Sequence, residues 1–166
     1  MKTFNIRAVE TRDRSRLEEI VKASVNFNQE EVKTALELVG EALENGEESG
    51  YIIKIIESTG SSLSIAGYAC YGPTPLTQGV YDLYWIVIDP TAQGKGFGRT
   101  LIADVEQDVL RRGGRMLLIE TSSQDSYDGT IRFYEKSGYR EVARVRDFYR
   151  IGDDKLIFSK NLVKTP

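Results

Sequence analysis

The residues best suited to chemistry in this chain are carboxylates and tyrosines, because it contains no histidine and only one cysteine, Cys70. Without histidine, neither a Ser-His-Asp triad nor a Cys-His pair can form, and a histidine-ligated zinc site is impossible. A single cysteine also excludes an internal disulfide and a cysteine-based metal cluster. We therefore expect no metal, and acid–base chemistry from carboxylates, tyrosine, lysine or water.

A glycine-rich segment between a predicted strand and a predicted helix offers a site for a phosphate group. Gly94, Gly96 and Gly98 stand at alternate positions, which lets the backbone bend sharply and bring its amides close to a ligand. These amides, with the free amides of the following helix, could bind a pyrophosphate. A Walker loop would need Ser or Thr after Lys95, and a Rossmann fingerprint would need its last glycine at Arg99. The alternative interpretation is a glycine-rich turn without a ligand.

The segment resembles the coenzyme A loop of the GNAT superfamily of N-acetyltransferases, Gln/Arg-x-x-Gly-x-Gly/Ala, with Gln93, Gly96 and Gly98 in place. A second element of that superfamily, Leu/Phe-Tyr-x-x-x-Gly-Phe/Tyr, is matched by FYEKSGY at residues 133–139. The strand before the loop is also similar, and the resemblance covers residues 80–139. It implies that acetyl-CoA binds as co-substrate where strand 80–88 and strand 116–120 splay apart.

The resemblance also implies which residues contact the cofactor. Backbone groups near Ile86 and Ile88 would pair with the pantetheine arm as an extra strand would. Many family members carry Asn seven residues before the motif tyrosine, whereas this chain has Tyr127, so that contact to the pantetheine arm is not carried over. The expected cofactor-binding residues are Ile86, Val87, Ile88, Gln93, Gly94, Lys95, Gly96, Phe97, Gly98, Arg99, Thr100, Thr130 and Phe133.

Direct transfer of an acetyl group to an amine needs a proton donor and a base. The resemblance assigns the donor to Tyr134, whose phenol, with a pKa of about 10, suits a thiolate of similar basicity. A backbone amide of the splayed strand would stabilise the oxyanion. Asp82 is the first candidate for the base, because it precedes Gln93 by 11 residues, as the catalytic glutamate does in the histone-acetylating branch. Glu120, at the end of the neighbouring strand, and a chain of water molecules are the alternatives.

Aromatic and arginine side chains are candidates for binding the acceptor. Residues an even number apart share a face of a strand, so Asp82, Tyr84 and Ile86 should line one side unless a bulge intervenes. The polar segment 146–154 is predicted to be a loop between the last two strands, and Arg146 or Arg150 could hold a carboxylate of the acceptor. The substrate-binding candidates are Tyr84, Tyr127, Arg146 and Tyr149.

The order of the predicted elements indicates a single mixed α/β domain over residues 1–166. With the resemblance, this predicts a central, mostly antiparallel sheet with splayed central strands and flanking helices. Strands are predicted at residues 4–9, 51–57, 63–71, 80–88, 116–120, 139–145 and 155–159, with a hairpin turn at 58–62. Helices are predicted around residues 17–21, 30–43, 101–110 and 130–136.

Composition restricts the partners. No apolar run approaches the roughly 20 residues of a membrane helix, and residues 1–10 lack the apolar stretch of a signal peptide, so we expect no membrane contact and a cytoplasmic location. The net charge of −3 gives no general attraction to nucleic acid. The expected acceptor is the amine of a small molecule or an amino-acid-like compound. The alternatives are a protein lysine or N-terminus, or a non-catalytic acyl-CoA-binding role, and a homodimer is possible.

Overall fold

The computed structural model describes residues 4–59 and 63–163. The strands are β1 (Phe4–Ala8), β2 (Ile52–Thr59), β3 (Leu63–Pro73), β4 (Val80–Ile88), β5 (Met116–Ser122), β6 (Arg140–Arg150) and β7 (Asp153–Asn161). The main helices are α1 (Arg14–Ala23), α2 (Gln29–Asn45), α3 (Phe97–Arg111) and α4 (Asp128–Lys136). The strands form one seven-stranded sheet in the order β1-β2-β3-β4-β5-β7-β6.

The centre of the sheet contains its parallel pair. β4 and β5 run parallel over four residue pairs, from Val80 beside Met116 to Leu83 beside Ile119, and the other neighbouring strands are antiparallel. Beyond Leu83 the two strands separate, while β4 stays paired with β3 and β5 stays paired with β7. The predicted mixed α/β fold, with a mostly antiparallel sheet and splayed central strands, is confirmed.

A bulge in β4 changes which face its residues occupy. The register between β3 and β4 skips one residue at Tyr84. Before the bulge, Leu83 packs in the core cluster that contains α3, and after it Ile86 packs there, whereas Val87 packs against α1 and α2. An extra residue inverts the alternation of the strand. The expectation that Asp82 and Ile86 share one face is therefore wrong.

Helices cover both faces of the sheet. The apolar side of α3 contributes Leu101, Val105 and Val109, which are fully buried with α4 on one face. The helices α1 and α2 bury Leu17 and Val39 on the other. Each such side chain contributes roughly 1.5 to 3 kcal/mol through burial. The two clusters fix the helices against β4 from opposite sides. Helix α3 begins within the glycine-rich segment, at Phe97.

The predicted polar loop between the last two strands is correct only in part, because both strands extend into it. Regular pairing stops at Val145 opposite Lys155, and residues 146–149 have no pairing partner in β7. β6 extends to Arg150 and β7 begins at Asp153, so only Ile151 and Gly152 form the turn. Gly152 has a φ of 82°, in the left-handed region, and its amide donates to Asp147 Oδ1 at 2.7 Å. Every residue of β6 is exposed, so this edge strand accepts charged residues on both faces and lacks the alternation that marks a half-buried strand.

Two further expectations bear on the described residues. The hairpin turn predicted at 58–62 lies partly outside them; β2 reaches Thr59, which pairs with Leu63. In the part of the chain that the structure describes, no helix is long and apolar enough to cross a membrane. Within the same residues, no group of three or more His, Cys, Asp or Glu side chains could hold a metal ion.

Candidate active site

Two cavities open where β4 and β5 separate. We call the one beside the glycine-rich segment the glycine-loop cavity, of about 560 Å³, and the one beside the start of α2 the α2 cavity, of about 850 Å³. The two cavities are continuous, because six of their lining residues are shared: Asn26, Tyr84, Trp85, Glu120, Thr121 and Tyr127. A ligand in one cavity can therefore meet a ligand in the other at the gap between the strands.

The glycine-rich segment presents backbone amides to the glycine-loop cavity. Gly94 and Gly96 have φ values of 71° and 87°, and Gly96 caps the start of α3. The amides of Phe97 and Gly98 have no acceptor among the described residues, as expected for the first turn of a helix. The positive end of the helix dipole lies at the same place, and Arg99 also lines the cavity. This end of the cavity suits an anion such as a pyrophosphate.

The free edge of β4 forms another wall of the glycine-loop cavity. Ile86, Val87 and Ile88 lie beyond the last pair with β5, so the side of the strand that faces the gap has no neighbouring strand. An exposed strand edge can bind an extended ligand through main-chain hydrogen bonds. From α4, Thr130 and Phe133 line the same cavity.

The structure brings together all the predicted cofactor-binding residues except two. Lys95 and Thr100 do not line the glycine-loop cavity. The ammonium of Lys95 donates to the carbonyl oxygen of Thr91 at 2.8 Å, and the hydroxyl of Thr100 donates to the carbonyl oxygen of Gly96 at 3.1 Å. Both side chains therefore contact the backbone of the loop rather than the cavity.

Tyr134 lies on α4 and lines the glycine-loop cavity with only 6% of its surface exposed. Its ring packs near those of Phe133, Tyr139 and Phe158, at centroid distances of 5.5, 6.1 and 6.1 Å. Among the described residues, its hydroxyl has no hydrogen-bond partner. Burial raises the pKa of the phenol well above its ordinary value, so it keeps its proton at any physiological pH. The geometry gives a neutral phenol at the cavity, but burial makes it a weaker acid than the sequence-based match to the thiolate assumed.

Asp82 and Glu120, the two candidates for the base, differ in their surroundings. Asp82 lines only the α2 cavity, where Oδ2 accepts a hydrogen bond from the hydroxyl of Thr74 at 2.7 Å. Glu120 lines both cavities, its side chain is 50% exposed, and Oε2 lies 2.7 Å from the ammonium of Lys155. Glu120 therefore already has a cationic partner, whereas Asp82 has none among the described residues.

The predicted substrate-binding residues do not all meet. Tyr84 and Tyr127 line both cavities, and Tyr149 lines the α2 cavity, but Arg146 lines neither and is exposed on β6. The hydroxyl of Tyr127 lies 2.9 Å from both the carbonyl oxygen of Asn26 and Oε1 of Glu31. Burial, and then this carboxylate, raise the pKa of Tyr127. The tyrosine at the usual asparagine position thus links the start of α4 to the segment before α2.

Sequence reasoning missed the contribution of α2 and of the segment before it. Asn26, Glu30 and Glu31 line the α2 cavity. The side-chain oxygen of Asn28 accepts a hydrogen bond from the backbone amide of Glu31 at 2.9 Å. This bond is part of an ordinary capping box at the start of a helix. Because acidic residues in a first turn are common for this structural reason, the sequence carries no sign that they face a cavity.

Comparison with known proteins identifies the class. The model of the Acetyltransferase (GNAT) family matches residues 15–139, so the chain belongs to the GNAT acetyltransferases. A crystal structure of a GNAT-family protein from Desulfovibrio desulfuricans is 42% identical with a TM-score of 0.90, covering 97% of this chain and 100% of that one. The predicted family is confirmed.

Other relatives carry names of N-acetyltransferases. The N-alpha-acetyltransferase RimI of Mycobacterium tuberculosis is 31% identical over 94 residues, which are 57% of this chain and 55% of that protein. The matched region thus spans about half the length of this curated relative. An aminoglycoside 6'-N-acetyltransferase complexed with coenzyme A has a TM-score of 0.74 at 15% identity, covering 98% of this chain and 99% of that one, and shares the fold. The family match supports an acyltransferase, and the aminoglycoside acetyltransferase shows the fold alone.

Proposed function

We propose that the chain is an acetyl-CoA-dependent N-acetyltransferase that transfers the acetyl group directly to a primary amine of a small molecule. The observation that carries the proposal is the continuity of the two cavities at the gap between β4 and β5. The glycine-loop cavity offers unpartnered amides and a free strand edge, which fit a phosphorylated, extended cofactor. The α2 cavity has the size of an ordinary small-molecule site.

The residues of the glycine-loop cavity would hold the cofactor at its pyrophosphate and along its pantetheine arm. The amides at the start of α3 would bind the pyrophosphate, and Arg99 would add positive charge beside it. The free edge of β4 at Ile86 and Ile88 would bind the pantetheine arm. Acetyl-CoA, when bound, supplies an acetyl group activated as a thioester.

The residues around the gap would then move the protons. Asp82, directly or through water, takes a proton from the acceptor's ammonium, because only the neutral amine is a nucleophile. A backbone amide of β4 near the gap stabilises the negative charge on the carbonyl oxygen. The neutral amine attacks the thioester carbonyl and forms the C–N bond, and the C–S bond then breaks as Tyr134 gives its proton to the leaving thiolate. The surplus proton on the nitrogen passes through water to the tyrosinate, which restores Tyr134 and leaves a neutral amide. Glu120 is the alternative base.

Two other functions would use the same cavities. Acetylation of a protein lysine or N-terminus would need the acceptor chain to enter the α2 cavity, and a non-catalytic module would bind acyl-CoA without transfer. The presence of Tyr134 beside the glycine-loop cavity favours catalysis. The cytoplasmic location, a single domain over residues 1–166, a homodimer and the absence of membrane or nucleic-acid partners stay predictions.

Release of free thiol from acetyl-CoA, measured with and without a panel of primary amines, tests the proposal. We expect release that depends on the amine and an acetylated product detectable by mass spectrometry. A thermal shift with acetyl-CoA in the same preparation reports binding independently of turnover. Binding without amine-dependent release would identify an acyl-CoA-binding module, and a missing thermal shift would refute the cofactor site itself.

A further inference from the structure

The α2 cavity is lined by more negative than positive side chains. Its carboxylates come from four different elements, and its only lining cation among the described residues is Arg150. The carboxylates are Glu30, Glu31, Asp82, Glu120 and Asp153. An unbalanced set of charges around a cavity that faces solvent selects ligands of the opposite charge.

Two of these carboxylates already have cationic partners. The ammonium of Lys155 lies 2.7 Å from Glu120 Oε2. The guanidinium of Arg150 lies 3.8 Å from Asp153 Oδ2, and Asp153 also accepts a hydrogen bond from Gln124 Nε2 at 3.0 Å. The one lining arginine therefore faces a carboxylate of the protein, so it is poorly placed to bind a carboxylate of the acceptor.

The other three carboxylates have no cation within 4.0 Å among the described residues. Glu30 and Glu31 lie in the first turn of α2, where their charges also stabilise the helix. Asp82 lies on β4, so the helix dipole does not explain its place in the same cavity. The carboxylates without a cationic partner at this cavity thus come from two separate elements, α2 and β4.

The aromatic lining favours the same kind of ligand. An ammonium group is attracted to the face of an aromatic ring, most strongly where water is excluded. Burial, and then the charges of Glu120, Asp153 and Glu31, raise the pKa of the phenol of Tyr149, so its hydroxyl lies within the field of these carboxylates. The aromatic residues that line the cavity are Tyr51, Tyr84, Trp85, Tyr127 and Tyr149.

We propose that the acceptor is a small molecule with a second ammonium group besides the amine that is acetylated, such as a diamine or polyamine. The second ammonium lies against Glu30 and Glu31, while Asp82 serves the reacting amine near the gap. This inference rests on the proposed function and concerns only the charge of the acceptor. It competes with the sequence-based prediction that Arg146 or Arg150 binds a carboxylate of an amino-acid-like acceptor.

A matched series of four-carbon amines separates these acceptors. The substrates 1,4-diaminobutane, 4-amino-1-butanol and 4-aminobutanoate differ only in the charge of the group opposite the reacting amine. Partly exposed ion pairs are worth about 0.2 to 1 kcal/mol each, so two carboxylates predict kcat/KM per amino group for the diamine about 2- to 30-fold above the alcohol, and the acid lowest. The difference should lie mainly in KM and shrink as sodium chloride is added.

Variants of Glu30 assign the preference to the cavity. Glu30→Gln should lower kcat/KM for the diamine by about 1.4- to 5-fold, and by more than it lowers kcat/KM for the alcohol. Glu30→Asp keeps the charge and should keep the preference. Glu44→Gln removes an equal charge from the exposed end of the same helix, away from both cavities, and should change neither substrate. Circular dichroism of each variant checks that α2 still forms.

The outcomes distinguish this inference from the proposed function. No thiol release with any of the three amines, nor with the wider panel, would refute the proposed function. Release that is equal for all three, or fastest with 4-aminobutanoate, would support acetyl transfer and overturn the diamine acceptor. A lysine-containing peptide acetylated faster than the diamine would also overturn it. A preference for the diamine that survives Glu30→Gln unchanged would show that Glu30 does not bind the second ammonium.

Discussion

The replacement Tyr134→Phe tests the proposed proton donor, because it removes one oxygen and keeps the ring. The hydroxyl has no hydrogen-bond partner among the described residues, so its loss should change the free energy of unfolding by less than about 1 kcal/mol. Its effect should appear where negative charge builds up on the leaving sulfur. General-acid help is worth about 10² to 10⁴ in rate, or about 3 to 5 kcal/mol of the activation barrier.

The assay must separate turnover from binding. We expect Tyr134→Phe to lower kcat by about 10²-fold or more. The thermal shift caused by acetyl-CoA should equal that of the unmodified protein. Because burial raises the pKa of this phenol, no ionisation of Tyr134 should appear in the pH profile below about pH 10. A solvent isotope effect and the absence of a burst show whether chemistry limits the rate. An unchanged kcat under those conditions would refute the role of Tyr134.

Tyr139 provides a matched control in the same aromatic cluster. It is buried, its ring centroid lies 6.1 Å from that of Tyr134, and its hydroxyl donates to Glu106 Oε1 at 2.9 Å. Tyr139→Phe removes this hydrogen bond while the ammonium of Lys160 still donates to the same carboxylate, so we expect about 0.5 to 1.5 kcal/mol of destabilisation. The midpoint of thermal unfolding should fall by several degrees with little change in kcat. The two tyrosines should therefore show opposite patterns.

Three further predictions concern the loop, the base and the core. Gly96→Val places a β-branched residue at a φ of 87° and should abolish the acetyl-CoA thermal shift, whereas Gly152→Val, at a φ of 82° in the β6–β7 turn, should only lower stability. Asp82→Asn should reduce kcat/KM most at low pH and recover partly as the amine loses its proton unaided. Burial opposes ionisation of Asp108, but hydrogen bonds led by that of Tyr71 lower its pKa to about 2. Its contribution to stability is therefore complete above about pH 4 and lost as the pH falls towards 2, so the difference in unfolding midpoint between Asp108→Asn and the unmodified protein should shrink below pH 3.

Each of these has a result that would contradict it. An unchanged acetyl-CoA thermal shift in Gly96→Val would place the cofactor elsewhere. A loss of activity in Asp82→Asn that is equal at every pH would indicate a binding role, and no loss would assign the proton to Glu120 or water. If the difference in unfolding midpoint between Asp108→Asn and the unmodified protein were undiminished at pH 2, the carboxylate of Asp108 would not be losing its charge in that range.

The part of the candidate site that could be predicted is the part that is contiguous in sequence. Gln93, Gly96 and Gly98 lie in one short segment, and the turn that they form depends on local backbone geometry. Tyr134 lies in a second local motif on a short helix. The separation of β4 and β5 followed from the resemblance, because these motifs are specific for a fold in which the strands splay.

The rest of the site depends on packing between distant segments. The bulge at Tyr84 is defined only by the register with β3, and no residue type in β4 predicts it. The place of Glu30 and Glu31 depends on how α2 packs over the sheet, since their composition is that of any helix start. The extension of β6 to Arg150 was missed because the strand bulges away from β7 after Val145 and its exposed residues show no hydrophobic alternation.

The register of β7 beside β5 explains why the two candidate bases are not equivalent. Lys155 lies directly opposite Ser122, so it is the diagonal neighbour of Glu120 on the same face of the sheet. The ion pair between Glu120 and Lys155 is therefore imposed by the fold, and protonation of Glu120 would sacrifice it. Asp82 precedes the bulge and carries only a hydroxyl partner, so accepting a proton breaks no ion pair among the described residues. We therefore propose that Asp82 accepts the proton through water while Glu120 keeps its negative charge at the junction of the cavities, since this assignment breaks no ion pair among the described residues.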